Sequence, residues 1–362
     1  MTDFEGVLQA GIESGLTPGA VAAISVRGQP TARAVAGLAN SVDGTPMSGD
    51  TLFDLASLTK VVGTTTLVMA LTALGELDPA DPLARFVDWP NTDLTLTHLL
   101  THTAGLQPWQ PLYQQTSTLA DSVELIRRLP PAGALGSERR YSDLGLILLG
   151  AVAEKVTGSG LTEAVAELVT GPLGMTDTAF RPPGTPKPCG PVAATSPGDE
   201  IERRMIATGE PYPVIIGGEF TGWRERLLIG EVADCNAFHA LGGVAGHAGL
   251  FSTADDLLTF GHGLLGFGEY PAGRDVVARF LQPGPNDQAL GWWTREFDSG
   301  PAVWHSGYTG TRLLAHPATG TVAVLLTNRL HALVGTDAHP APAVALDIAP
   351  MWAGVVNVAI PQ

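Results

Sequence analysis

Along the chain the spacing of apolar positions switches from strand-like to helix-like and back. Residues 20–27 (AVAAISVR) and 31–37 (TARAVAG) are short runs of small and β-branched residues. Gly28-Gln29-Pro30 separates them, which predicts a β-hairpin. Residues 58–75 (LTKVVGTTTLVMALTALG) carry helical spacing and stop at Gly75, a suitable C-cap. Helical stretches follow at 95–103, 119–129, 142–157 and 161–170, joined by Gly- and Pro-rich connections. Periodicity fails over 180–222, which reads as a long irregular excursion. A helix returns at 253–265, with Ser252 or Thr253 as its cap and Asp255-Asp256 in a first turn where the dipole favours negative charge. Three apolar runs, 301–306 (PAVWHS), 311–316 (TRLLAH) and 321–327 (TVAVLLT), have turn signals between them and predict antiparallel strands. A last helical segment lies near 340–356.

Strands at both ends and helices between them suggest a discontinuous domain, 1–75 with 240–362, and an inserted helical and irregular domain over 76–239. If the terminal strands share one sheet, the cleft between the lobes is the natural ligand site. Composition agrees with a globular chain: 362 residues, 44% hydrophobic and 15% charged, with 44 Gly and 28 Pro scattered rather than periodic.

Charge narrows the partners. The formal net charge is −16, and the basic residues form only short pairs such as Arg127-Arg128 and Arg139-Arg140. Phosphate backbones and anionic membrane surfaces both need a basic stripe, so neither nucleic acid nor membrane is expected as a partner. The N-terminal segment opens on acidic residues without a basic and apolar leader, and no stretch of about 20 residues reads as a membrane span. The expected location is cytoplasmic. Cys189 and Cys235 stand in unrelated contexts and are expected to be free thiols.

Candidate chemistry begins at Phe53-Asp54-Leu55-Ala56-Ser57-Leu58-Thr59-Lys60. Serine needs an adjacent base to become a nucleophile. Three residues along a helix, Lys60 would stand beside Ser57, and burial could lower its pKa enough to make it that base. S-x-x-K alone is weak, because a capping serine and a lysine reaching for the surface give the same string. Here it occurs once among only three lysines, and Lys60 lies in an otherwise apolar helix. Arg140-Tyr141-Ser142-Asp143 opens another helix, and His305-Ser306-Gly307 lies on a presumed strand, where Gly307 would let a substrate backbone approach.

In this order the three pieces resemble the serine β-lactamase and penicillin-binding superfamily, whose signature is S-x-x-K, Y-x-N and K-T-G. The likeness covers nearly the whole chain and is greatest to class C β-lactamases, family VIII carboxylesterases and D-aminopeptidases. It extends to Leu96–Leu106 and to the Gly-rich Leu241–Thr253. It implies an α/β (α+β) fold of the β-lactamase/transpeptidase type, an antiparallel sheet flanked by helices with an inserted, mostly helical lobe. It also implies Ser57 as acylated nucleophile, Lys60 as activator and Tyr141 as proton shuttle. His305 would replace the lysine of K-T-G, the N–H groups of Ser57 and Tyr308 would form the oxyanion hole, and Asp143, His305, Ser306, Gly307 and Tyr308 would line the substrate.

The departures matter. H-S-G exchanges a fixed cation for a titratable imidazole, and Asp143 exchanges an amide for an acceptor-only carboxylate. Both disfavour anionic β-lactams. The resulting expectation is an acyl-enzyme hydrolase of small esters or amides, carboxylesterase first. D-aminopeptidase, D-alanyl carboxypeptidase and weak β-lactamase are the alternatives, and a non-catalytic binding protein is the reading from another class. No cofactor is expected. His98 and His102 have a zinc-compatible spacing, but Leu99 stands where a zincin has glutamate and no third ligand is evident, so no metal is expected. No G-x-S-x-G occurs. His247 reads as a scaffold residue, and Trp292, Trp293 and Trp304 read as core with a cleft-lining alternative.

Overall fold

A computed structural model of the protein describes residues 4–27, 32–186, 188, 190–335 and 340–360. The turn Gly28-Gln29-Pro30 and Cys189 lie outside the described residues. The described residues form ten strands: β1 (Gly19–Ser25), β2 (Ala32–Asn40), β3 (Thr45–Pro46), β4 (Phe53–Asp54), β5 (Ala179–Phe180), β6 (Leu250–Ser252), β7 (Trp293–Phe297), β8 (Gly300–Gly307), β9 (Thr311–His316) and β10 (Thr321–Thr327). Seven of them form one antiparallel sheet in the order β3-β2-β1-β10-β9-β8-β7. The two ends of the chain meet at β1 and β10, where Ala20 pairs with Thr327 and Ser25 with Val322.

Both central strands are buried along their whole length. That is unusual for an antiparallel sheet, which commonly leaves one face to water. Here alternation sends Val21, Ala23, Val322, Val324 and Leu326 into the large inner core and Ala20, Ala22, Ile24, Ala323 and Leu325 into an outer one. The helices Phe4–Glu13 and Ala349–Ala359 cover the outer face, contributing Leu8, Met351, Trp352, Val355 and Val356. On the inner face lies the helix Ala254–Leu264, capped by Thr253, whose Oγ1 accepts from the Asp256 N–H. Helices supply much of the rest of the inner core, with Leu144, Leu146, Ile147, Leu148, Leu149, Val152 and Ala153 of Asp143–Thr157 among its residues.

Two differences from the sequence reading have physical causes. The excursion 180–222 contains a helix, Glu200–Thr208, whose one buried residue is Glu202, so it shows no apolar stripe. The edge strand β7 escapes because its residues alternate poorly between buried and exposed positions. The last helix starts at Ala349, with Pro350 in its first turn, later than the expected 340. Against the expectation of no membrane span, one helical stretch among the described residues, Ala56–Ala73, is long and apolar enough to cross a bilayer by length and composition. It is 83% buried inside the protein and serves as a core helix.

Candidate active site

The short sheet β4-β6-β5 delivers the chain to the centre of the molecule. Leu55 N–H donates to Leu250 O, and Ala56 then takes φ +45°, a left-handed conformation that costs a residue with a Cβ. Ser57 follows in a tight 3-10 turn, Ala56–Leu58, and Lys60 opens a π-turn, Lys60–Thr65, ahead of the α-helix Thr66–Ala73. Widened turns of this kind often accompany functional sites. Between Thr51 and Leu71 every residue is buried except Ser57, which keeps partial exposure.

Lys60 Nζ lies 2.7 Å from Ser57 Oγ, 2.7 Å from Asp143 Oδ1 and 3.1 Å from His247 O. Burial disfavours its ammonium form, but the Asp143 carboxylate and Tyr141 outweigh that, so Lys60 is held above the usual lysine range. This corrects the expectation of a lysine neutralised by burial: the counter-ion standing where the family has an amide keeps it charged.

Tyr141 and Asp143 arrive together because Ser142 caps the helix Asp143–Thr157, its Oγ accepting from Gly145 N–H. Gly246 allows the Leu241–Thr253 loop to press on that helix, since a Cβ there would stand 2.0 Å from Leu146 O. Burial raises the Tyr141 pKa, while hydrogen bonds with Lys60 and the Ser57 hydroxyl oppose the rise. The Tyr141 ring packs on His102 at 4.6 Å, and Lys60 Nζ sits 5.0 Å from its centroid. His102 is pinned in a left-handed conformation and accepts from Ser142 N–H through Nδ1.

The third motif closes the site from β8. His305 is fully buried, stacked on Trp293 at 4.7 Å, with the Tyr141 ring at 6.1 Å. Its Nδ1 pairs with Ser306 O at 3.0 Å, and Nε2 has no partner. Burial, with Lys60 nearby, lowers its pKa to about 3. The imidazole is therefore neutral over the physiological range, where the sequence suggested a group that titrates there. By strand alternation Ser306 lies opposite Arg312 on the other face of β8, so it meets the site through its backbone.

Gly307 is needed for a different reason than expected. A Cβ there would stand 2.2 Å from Thr311 Oγ1 and 2.3 Å from Leu55 O, so the close neighbour is the protein's own backbone rather than a substrate. Gly307→Ala is expected to cost about 2 kcal/mol through overpacking, read as a lower denaturation midpoint; an unchanged midpoint would mean that β8 yields freely. Tyr308 follows as an exposed residue with Arg329 over the face of its ring at 5.5 Å. Thr309 and Thr311 then donate to Asp54 O and Leu55 O at 2.7 and 2.9 Å, tying this strand end to the chain before Ser57.

Thus Ser57, Lys60, Tyr141, Asp143 and His305 converge, while Ser306 and Gly307 contribute backbone. Several neighbours escaped the sequence reading. Asp54, Asp234 and the carbonyl of His247 form a polar layer behind Lys60. Tyr212, from the aperiodic excursion, comes close enough for Asp143, Tyr141 and Lys60 to act on its hydroxyl. Apart from Asp54, which precedes Ser57 in the same segment, these are brought in by packing of distant segments and have no local signal. Trp293, for which the sequence left a cleft-lining alternative, lies against the site while Trp292 is core.

His98 and His102 do not share a metal site. His98 Nδ1 accepts from Thr95 N–H in a capping box, whereas His102 serves Ser142. Among the described residues Asp199, Cys235 and His239 have ligand atoms within 4.8 Å of one another. Arg224 already occupies Asp199 at 2.7 Å, and burial holds the Cys235 thiol well above its usual range, so this set is built as an ion pair rather than as a cation site.

The beta-lactamase family model matches residues 4–346. An Escherichia coli protein named for D-alanyl-D-alanine carboxypeptidase activity is 31% identical over 318 residues, 78% of this chain and 70% of its own. The N-acetylmuramyl-L-alanine amidase of Bacillus subtilis is 29% identical over 356 residues, 87% of this chain and 78% of its own. A penicillin-binding protein from Bacillus halodurans superposes with a TM-score of 0.70 at 20% identity, covering 97% of this chain and 99% of that one. The fold is β-lactamase/transpeptidase-like, with an antiparallel seven-stranded sheet and helices, and the chain belongs to the beta-lactamase family.

Proposed function

We propose that the protein is a serine hydrolase that forms an acyl-enzyme on Ser57 and cleaves small uncharged esters, with amides of D-amino acids as the second reading. The observation that carries this is the contact of Ser57 Oγ with Lys60 Nζ at 2.7 Å, backed by Asp143 at 2.7 Å. A charged lysine cannot itself take a proton. The Lys60–Asp143 pair can: Lys60 passes one proton to the carboxylate as it receives the Ser57 proton, and the serine oxygen attacks the carbonyl carbon. Tyr141 then protonates the leaving group and is re-protonated by Lys60, which takes back the proton held on Asp143, so the ion pair is restored. In deacylation water gives its proton to the same pair and attacks the acyl carbon, Tyr141 protonates Ser57 Oγ as it leaves, and the protons return by the same route. Backbone N–H groups of Ser57 and Tyr308 are proposed to hold the oxyanion.

Substrate charge follows from the side chains around Ser57. Lys60 is neutralised by Asp143 and His305 is uncharged, so neither of these two side chains offers a free cation to a substrate carboxylate. This favours neutral esters over β-lactams. The amide reading is supported by the relatives named as carboxypeptidase and amidase. Hydrolysis of p-nitrophenyl butyrate, with intact mass taken during turnover, tests the proposal: turnover with a butyryl adduct supports it, and neither with this ester nor with D-alanyl amides would overturn it.

His305→Lys probes the charge argument. A lysine there would restore a cation near the carboxylate of a β-lactam. Nitrocefin hydrolysis relative to ester hydrolysis is expected to rise about tenfold, roughly the value of one added charge-assisted contact. An unchanged ratio would mean that His305 does not set substrate charge.

A further inference from the structure

Asp54 is 1% exposed and lies outside the Ser57–Lys60–Tyr141 set. Its Oδ1 accepts from Ala56 N–H at 2.9 Å, and its Oδ2 from Ala233 N–H at 2.7 Å. Ala56 is the left-handed residue next to Ser57, and an aspartate two residues back is the side chain suited to satisfy such a turn. Ala233 precedes Asp234, whose Oδ1 lies 3.0 Å from His247 Nε2. The carbonyl of His247 in turn accepts from Lys60 Nζ, which closes on Ser57 Oγ. The contacts form a ring, from Asp54 through Ala56 and Ser57 to Lys60, then through His247 and Asp234 back to Ala233 and Asp54. The main chain of the same residue reaches the other side of the site, where Asp54 O accepts from Thr309, the neighbour of Tyr308.

We propose that Asp54 is the positioning residue of this site, its two carboxylate oxygens bridging the strained turn before Ser57 to the loop behind Lys60 so that nucleophile, lysine and oxyanion donors keep one register. This rests on Ser57 being the nucleophile. Both oxygens must accept for the bridge to hold. A protonated carboxyl keeps one good acceptor, and an amide places its NH2 against one of the two N–H donors. The carboxylate form is required, yet burial and the nearby Asp234 raise the Asp54 pKa to about 6, with Arg224 and the two backbone N–H groups opposing them. Below that pH the bridge is halved, and above it the bridge is complete, so acylation should rise with pH through about 6.

The test uses full-length wild type and Asp54→Asn with p-nitrophenyl butyrate, reading kcat, KM and the acylation burst from pH 5 to 8. Wild type is expected to show an acidic limb near pH 6. Asp54→Asn is expected to lose about tenfold or more in kcat, as misplaced reacting groups do, with KM within about twofold, and to lack that limb. A residue that merely stabilised the fold would lower the melting temperature but leave the limb in place. Wild-type kcat with an unaltered limb in the folded variant overturns the proposal. If Asp54→Asn does not fold, the wild-type burst decides, because an acylation rate flat from pH 5 to 8 overturns it equally. Ser57→Ala separates the two levels: full turnover in that variant sinks the nucleophile assignment itself, whereas an inactive Ser57→Ala beside an unaffected Asp54→Asn sinks only the role of Asp54.

Discussion

Ser57→Ala is expected to remove ester turnover and the acyl adduct together, with a fall of about four orders of magnitude or more in kcat, the scale that follows when the covalent route is lost. The fold should survive. Ser57 is the only residue of its segment that is not buried, so little apolar contact disappears with its hydroxyl. Lys60 loses one partner but keeps Asp143 and the carbonyl of His247, so no buried charge is left alone. The variant should melt within a few degrees of wild type. Intact mass and kcat on a folded sample check this, and residual turnover near the wild-type rate would remove Ser57 from the mechanism.

Lys60→Ala should behave differently, costing both rate and stability. In the proposed route the proton passes from Ser57 to Asp143 through Nζ, and removal of Nζ is expected to lower kcat by about two orders of magnitude or more. The same change leaves the Asp143 carboxylate without its cation and opens a cavity where a side chain 1% exposed had been. Breaking a buried pair from one side costs about 3–5 kcal/mol, and the 18% exposure of Asp143 points to the lower end, about 3 kcal/mol. Denaturant melts alongside kcat at a temperature where the variant is folded separate the two effects. A folded variant with full rate would show that Lys60 does not carry the proton.

The opposed pKa shifts of Lys60 and His305 have one origin. Both groups are buried, and burial disfavours charge on each. Lys60 has a carboxylate beside it and stays charged, whereas His305 has an aromatic face, one carbonyl and the repulsion of Lys60, and becomes neutral. Two residues that the family pattern would make cationic thus take different states, and the proposed preference for uncharged substrates rests on that difference.

The elements with strong periodicity were legible in the sequence. The strands at 301–306, 311–316 and 321–327 fall within or on β8, β9 and β10, and the helix predicted over 142–157 is Asp143–Thr157. Apolar spacing is a local property and survives being read without partners. The S-x-x-K spacing likewise determined that Ser57 and Lys60 would be neighbours, because one helical turn sets that distance. Tertiary structure decided what spacing cannot. Lys60 keeps its charge because Asp143, 83 residues away in sequence, ends 2.7 Å from it. His305 is neutral because β8 is buried against Trp293 and Tyr141, and Gly307 is small because Leu55 presses on it. A motif names residue types, but protonation state and steric room depend on the dielectric and on atoms contributed by distant segments, and those exist only once the chain has folded.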